Sequence, residues 1–203
     1  LSARHLARAY SAVVGVLGCG VQARSNLEAL AALFPLRRLM AYDIHPERAA
    51  TFAAEAGERF ALEGVTATTP RRAVSGCDIV VTAGPILQTP HATIQPGWLD
   101  PGAFASLVDF DSYWHPAALA EASIFCTDDT AQLRHYQTLG YFRDIPPVHA
   151  DLGELVSGAR PGRRTADERT IAANLGLALD DMAVAPLIYR RALEAGVGVR
   201  LPL

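Results

Sequence analysis

One stretch constrains this chain more than any other. The apolar, valine-rich run over residues 12–17 leads directly into Gly18-Cys19-Gly20-Val21-Gln22-Ala23. Beyond that turn Val21, Leu27, Leu30, Ala31 and Phe34 recur at helical spacing until Pro35. A continuous short apolar run suits a strand buried on both faces, and a period near 3.6 marks an amphipathic helix. The join between them is a G-x-G-x-x-A turn. In such a turn Gly18 permits the tight reversal, Gly20 lets the backbone approach a diphosphate, and Ala23 lets the helix lie close to the strand. Val21 and Gln22 open the helix, whose unpaired N–H groups and dipole favour an anion.

The pattern then repeats. Arg38–Tyr42 reads as a second strand, and Pro46 suits the first position of a helix running to Phe60, with Glu47 in its first turn. Residues 65–67, Ile79–Thr82, residues 104–108 and Ile124–Thr127 read as further short strands, with helical stretches between most of them. Strands alternating with helices imply right-handed crossovers and a sheet covered on both faces. The expected fold is α/β, a doubly wound, mostly parallel sheet with a C-terminal helical extension. That extension is Ala178–Ala195, an amphipathic helix closed by Gly196, and Thr165-Ala166-Asp167-Glu168 has the spacing of a capping box. Residues 1–10 read as a helix already under way, with Leu1, His5 and Leu6 on one face and Arg4 and Arg8 opposite. The first residue is not methionine, and an N-terminal portion is expected to precede it.

Charge narrows the function classes. Only 19% of residues are charged and the net charge is −3, so the chain offers no footprint for phosphate backbones or anionic lipid. The longest uncharged stretch, residues 79–99, is broken by Pro85, Pro90 and Pro96 and cannot span a membrane as a helix. Cys19, Cys77 and Cys126 have no C-x-x-C spacing and read as buried thiols of a reducing, cytoplasmic compartment, and no metal site is expected. All 18 basic residues are arginine, which leaves no lysine for Schiff-base or general-base chemistry.

Asp43 ends the second strand 20 residues after Ala23, where an acid accepts hydrogen bonds from the ribose hydroxyls of a dinucleotide. It would also repel a 2′-phosphate, and no arginine follows before Arg48, so NAD is favoured over NADP.

Five segments, in order, resemble motifs of the ornithine cyclodeaminase/μ-crystallin family. Gly18-Cys19-Gly20-Val21-Gln22-Ala23-Arg24 is similar to its G-x-G-x-Q-A-[RS] turn, and Asp78-Ile79-Val80-Val81-Thr82-Ala83 to its D-I-V-x-T-A-T strand. The stretch from Pro101-Gly102-Ala103 to Asp111 resembles P-G-x-x-x-x-x-V-G-x-D. Leu152-Gly153-Glu154-Leu155 with Gly158 and Pro161-Gly162-Arg163 resembles L-G-E-[VL]-x-x-G-x-x-P-G-R, and Gly176 to Asp181 resembles G-x-A-x-[ED]-D.

The resemblance implies a linking helix over residues 1–11, a Rossmann NAD-binding domain over 12–177, and a C-terminal helix and tail over 178–203 that return to a preceding substrate and dimerisation domain. It implies a homodimer acting on a small amino acid or imine, through an enzyme of the cyclodeaminase type. That enzyme converts ornithine to proline with loss of ammonia; imine reductases and alanine-type dehydrogenases are the alternatives, and a nucleotide-binding carrier is the non-enzymatic one. Asp111 takes the position of the aspartate that handles protons at the amine. Thr82, Gly84 and Val108 fall where the cofactor's nicotinamide side is lined, and Asn174 falls at a contacting serine. His115 stands at a family lysine, either as a replacement contact or as a surface histidine. Asp109 replaces the glycine of V-G-x-D, where a second carboxylate would raise the pKa of Asp111 or compete with it. Arg163 and Arg164 read as a solvated loop.

Overall fold

The computed structural model describes residues 1–201, and its centre is one all-parallel sheet of eight strands. In chain order the elements are α1 (Ser2–Leu6), β1 (Val13–Leu17), α2 (Val21–Ala31), β2 (Arg38–Tyr42), α3 (Pro46–Phe60), β3 (Glu63–Thr66), β4 (Ile79–Thr82) and β5 (Phe104–Leu107). They continue with α4 (Pro116–Leu119), β6 (Ile124–Thr127), α5 (Thr130–Thr138), β7 (Ala150–Asp151), α6 (Leu152–Ser157), β8 (Thr170–Ala173) and α7 (Ala178–Ala195). The sheet order is β3-β2-β1-β4-β5-β8-β6-β7. From β1 the chain winds outward through β2 and β3, then returns to pair β4 on the other side of β1. This reversal opens a crevice at the carboxyl ends of β1 and β4, where ligands of such sheets bind.

The residues of β4, β5, β6 and β8 are all buried, because each strand is covered on both faces. Alternate residues divide between two cores. Ile79 and Val81 meet α2 and α3 through Leu27 and Phe52, whereas Val80, Ala105 and Ile171 meet Trp114, Leu119 and Phe142 on the opposite face. Burial pushes the three unpaired thiols, Cys19, Cys77 and Cys126, up to about 12.

Several local expectations change. The first helix spans only five residues and turns extended at Ala7, after which Arg8 pairs with Asp78 instead of facing water. Asp78 also accepts the N–H groups of Ala12 (2.8 Å) and Val13 (3.0 Å), which pins β1 to β4. No helix follows Thr165. Glu168 folds back to accept the N–H groups of Arg164 and Thr165, and the chain enters β8 directly. Nor is Arg163 solvated: it donates to the carbonyls of Leu6 (2.7 Å) and Glu168 (2.6 Å) and to Thr170 Oγ1 (3.0 Å), tying α1 to the sheet. The last helix keeps its expected bounds and closes at a left-handed Gly196, although the end of the expected tail, at 202–203, lies outside the described residues.

Candidate functional site

The glycine turn is built as its chemistry requires. Gly18 has φ 89°, and a Cβ there would meet the Ala83 carbonyl oxygen at 2.7 Å, so only glycine joins β1 to α2 beside β4. Gly20 caps α2 with extended backbone, no side chain caps the helix, and its first turn carries no acid. The N–H groups of that turn therefore remain available to an anion. Val21 and Gln22 are exposed at this opening, and Ala23 is buried against the sheet.

Asp43 closes the same corner. Its Oδ2 accepts the Cys19 N–H (2.8 Å) and its Oδ1 accepts the His45 N–H (2.9 Å), which fixes the carboxylate between the turn and the end of β2. Each oxygen keeps a lone pair for a sugar hydroxyl. Gly18, Gly20, Asp43 and Gly84 together line a cleft of about 260 Å³. Two residues not expected at this site join them. Arg48 reaches the cleft from the first turn of α3, although its distance from Asp43 along the chain had set it apart, and the Tyr113 ring covers Gly84 so closely that a Cβ there would meet it at 2.4 Å.

The residues expected on the nicotinamide side have partners of their own within the fold. Thr82 is fully buried: its hydroxyl donates to Asp109 Oδ1 (2.6 Å) and its carbonyl accepts the Val108 N–H (2.9 Å), so both groups are engaged within the fold. His115 caps α4, with Nδ1 accepting the Ala117 N–H (3.1 Å), and lines neither this cleft nor the Asp111 pocket. Val108 is half-buried at the end of β5. Asn174 bridges β8 to β5 by donating to Ser106 Oγ (2.9 Å).

The turn after β5 sends its two carboxylates to different places. Phe110 between them adopts φ 61° and is held among Tyr136, Tyr141 and Phe142. Asp109 points inward, 1% exposed, where it accepts the Thr82 hydroxyl and the Gly84 N–H (3.0 Å). Burial, with Asp111 as a smaller like charge, raises it to about 6. Asp111 is 6% exposed, its Oδ1 has no hydrogen-bond partner, and it lines a separate pocket of about 250 Å³ with Gln88, Trp114, Arg143 and Asp144. Burial, and after it the charge of Asp144, pushes its carboxyl above the usual range. No motif announced Arg143 or Asp144. A wider cavity of about 600 Å³ lies between α5 and β7, away from the crevice, and holds none of the expected residues.

The raised pKa of Asp109 has a measurable consequence for stability. Its folded value of about 6 lies above the unfolded value of 3.8, so below the unfolded value the two states bind the proton equally. As pH rises through the interval, the unfolded chain ionises first and stability falls by about 3 kcal/mol, then levels off. Urea midpoints measured across that interval should fall with rising pH in the native protein and stay flatter in Asp109→Asn. Equal slopes would place the titration elsewhere.

A family model described as ornithine cyclodeaminase/mu-crystallin matches residues 1–196. The chain belongs to that family. Among the relatives of this family member, a Rhizobium meliloti protein classed with the dehydrogenases is 35% identical over 98% of the chain and 62% of its own length. The alanine dehydrogenase of Archaeoglobus fulgidus is 30% identical over 99% of the chain and 63% of its length. Among solved structures, Thermococcus litoralis Δ1-pyrroline-2-carboxylate reductase, in complex with NADH and L-proline, superposes with TM-score 0.84 at 28% identity, over 98% of this chain and 64% of that one. The chain thus spans less than two thirds of the length of these relatives. Among the described residues no group of three or more His, Cys, Asp or Glu could hold a metal, and no helix is long and apolar enough to cross a membrane.

Proposed function

We propose that this chain is the NAD-binding portion of an enzyme that oxidises or reduces the carbon–nitrogen bond of a small amino acid or cyclic imine. The observation that carries this reading is a juxtaposition. A cleft with free helix N–H groups and a fixed ribose acid lies one loop from a buried carboxylate whose Oδ1 has no partner. Bound NAD supplies a two-electron hydride acceptor or donor. The first-turn N–H groups of α2 bind the diphosphate, and Asp43 accepts from the adenosine ribose. Asp111 takes a proton from the amine nitrogen during oxidation and returns one to the imine nitrogen during reduction. Its raised pKa brings that exchange closer to neutral pH.

Net redox chemistry is the version favoured over cyclising deamination. The cyclodeaminase pattern D-x-P-G-K is replaced here by Asp111-Ser112-Tyr113-Trp114-His115, and His115 is spent on capping α4. The names of the alanine dehydrogenase and pyrroline-2-carboxylate reductase relatives agree with this version. Intact protein given NAD⁺ with L-alanine or L-proline should accumulate NADH. Conversion of L-ornithine to proline and ammonia without net NADH would replace this reading with the cyclising one.

The remaining length of the relatives has a place to dock. None of the residues of α7 is buried, and Leu179, Met182, Ile188 and Tyr189 stand exposed along it. In our reading this helix, with the linking segment at the start of the chain, packs on a substrate-binding portion that also forms a homodimer.

A further inference from the structure

Asp109 stands where the family pattern carries glycine, and the fold gives that departure a particular place. Its carboxylate is at the carboxyl end of β5, 1% exposed, and accepts from the neutral Thr82 hydroxyl and Gly84 N–H. None of the salt bridges among the described residues includes it. Gly84, which it holds from the interior, is a wall of the cofactor cleft.

Topology decides which half of a dinucleotide lies nearby. Asp43 directly follows β2, α2 begins after β1, and β4 and β5 lie on the far side of β1 from β2. A cofactor tethered at Asp43, with its diphosphate across the start of α2, therefore carries its nicotinamide half over the ends of β4 and β5. That ring is positively charged in NAD⁺ and neutral in NADH.

We propose that Asp109 determines specificity for the oxidation state of the cofactor, its buried and cation-free carboxylate favouring NAD⁺ over NADH. The inference rests on the NAD reading of the cleft. A charge buried in a low-dielectric site acts more strongly than one in water. The titratable groups facing Asp109 are Asp111, on its own turn, and the Tyr113 phenol, which burial and then Asp109 itself keep protonated. The strand β4 contributes only Thr82, the turn after it contributes Gly84, and the Trp114 indole N–H reaches Thr82 Oγ1 at 3.4 Å; none of these titrates. The discriminating charge is present above a pH of about 6 and lost below it. Tighter retention of the oxidised form also makes bound NADH a stronger hydride donor.

The test is calorimetric titration of the intact protein with NAD⁺ and with NADH on both sides of that pH, for the native protein and Asp109→Asn. The native ratio Kd(NADH)/Kd(NAD⁺) should rise about tenfold with pH, and Asp109→Asn should lack most of that rise. A native ratio that does not change with pH overturns the inference, as does a variant that keeps the native rise. If the variant does not fold, the native profile decides alone. Absence of binding by either form in the native protein would instead overturn the cofactor reading and this inference with it.

Discussion

Asp111→Asn in the intact protein should lower turnover by about 10²- to 10⁴-fold while NAD⁺ and NADH bind as before. Asparagine keeps the shape of the side chain and removes the proton exchange. Asp111 lies outside the cleft that gathers Gly18, Gly20 and Asp43, so its loss leaves the diphosphate and ribose contacts intact. The carboxylate is nearly buried with one oxygen unsatisfied, a state costly enough that a structural residue would normally have found a partner. The substitution should therefore raise folding stability, or leave it unchanged. Turnover numbers with cofactor affinities measured on the same preparation make the test, and unchanged turnover would remove Asp111 from the chemistry.

Gly20→Asp should weaken cofactor binding by about 100-fold or more while the fold keeps its stability. Gly20 has φ −89° and ψ −159°, open to any residue, and a Cβ there meets nothing within 4 Å. Aspartate is among the best helix caps, and its carboxylate would accept first-turn N–H groups that now lack a side-chain partner. Those same groups are the proposed diphosphate site, so the new acid both occupies them and repels the ligand. Calorimetry with a melting curve separates the two effects. Undiminished affinity in a folded variant would mean that the diphosphate binds elsewhere. At Gly18 no such separation exists, because its positive φ and the nearby Ala83 carbonyl make any side chain a fault in the fold itself.

Much of the frame could be read from periodicity. Arg38–Tyr42, Ile79–Thr82, Ile124–Thr127 and Ala178–Ala195 have the bounds their apolar patterns suggested. The strands β7 and β8 carried no comparable signal. One has two residues and the other only Thr170-Ile171-Ala172-Ala173, and β8 inserts between β5 and β6, far from both in the chain. Thr165 to Glu168 shows how a local motif misleads. The acid does turn back to the loop N–H groups, but the neighbouring loop is held by Arg163, which joins Leu6, from the far end of the chain, to Thr170 at the start of β8.

By itself the sequence determined the alternation of strand and helix, the glycine turn, and the acid at the end of β2, because each is set by contacts within a few residues or by a repeating apolar face. Only the tertiary structure decided that Arg48 and Tyr113 join the cleft, that Thr82 and His115 are occupied elsewhere, and that Asp109 and Asp111 face different surroundings. The partner a polar group meets depends on which crossover lies against it. Phe110, seated in an aromatic cluster contributed by α5 and the loop beyond it, sets the directions of the two carboxylates through contacts that no local pattern encodes.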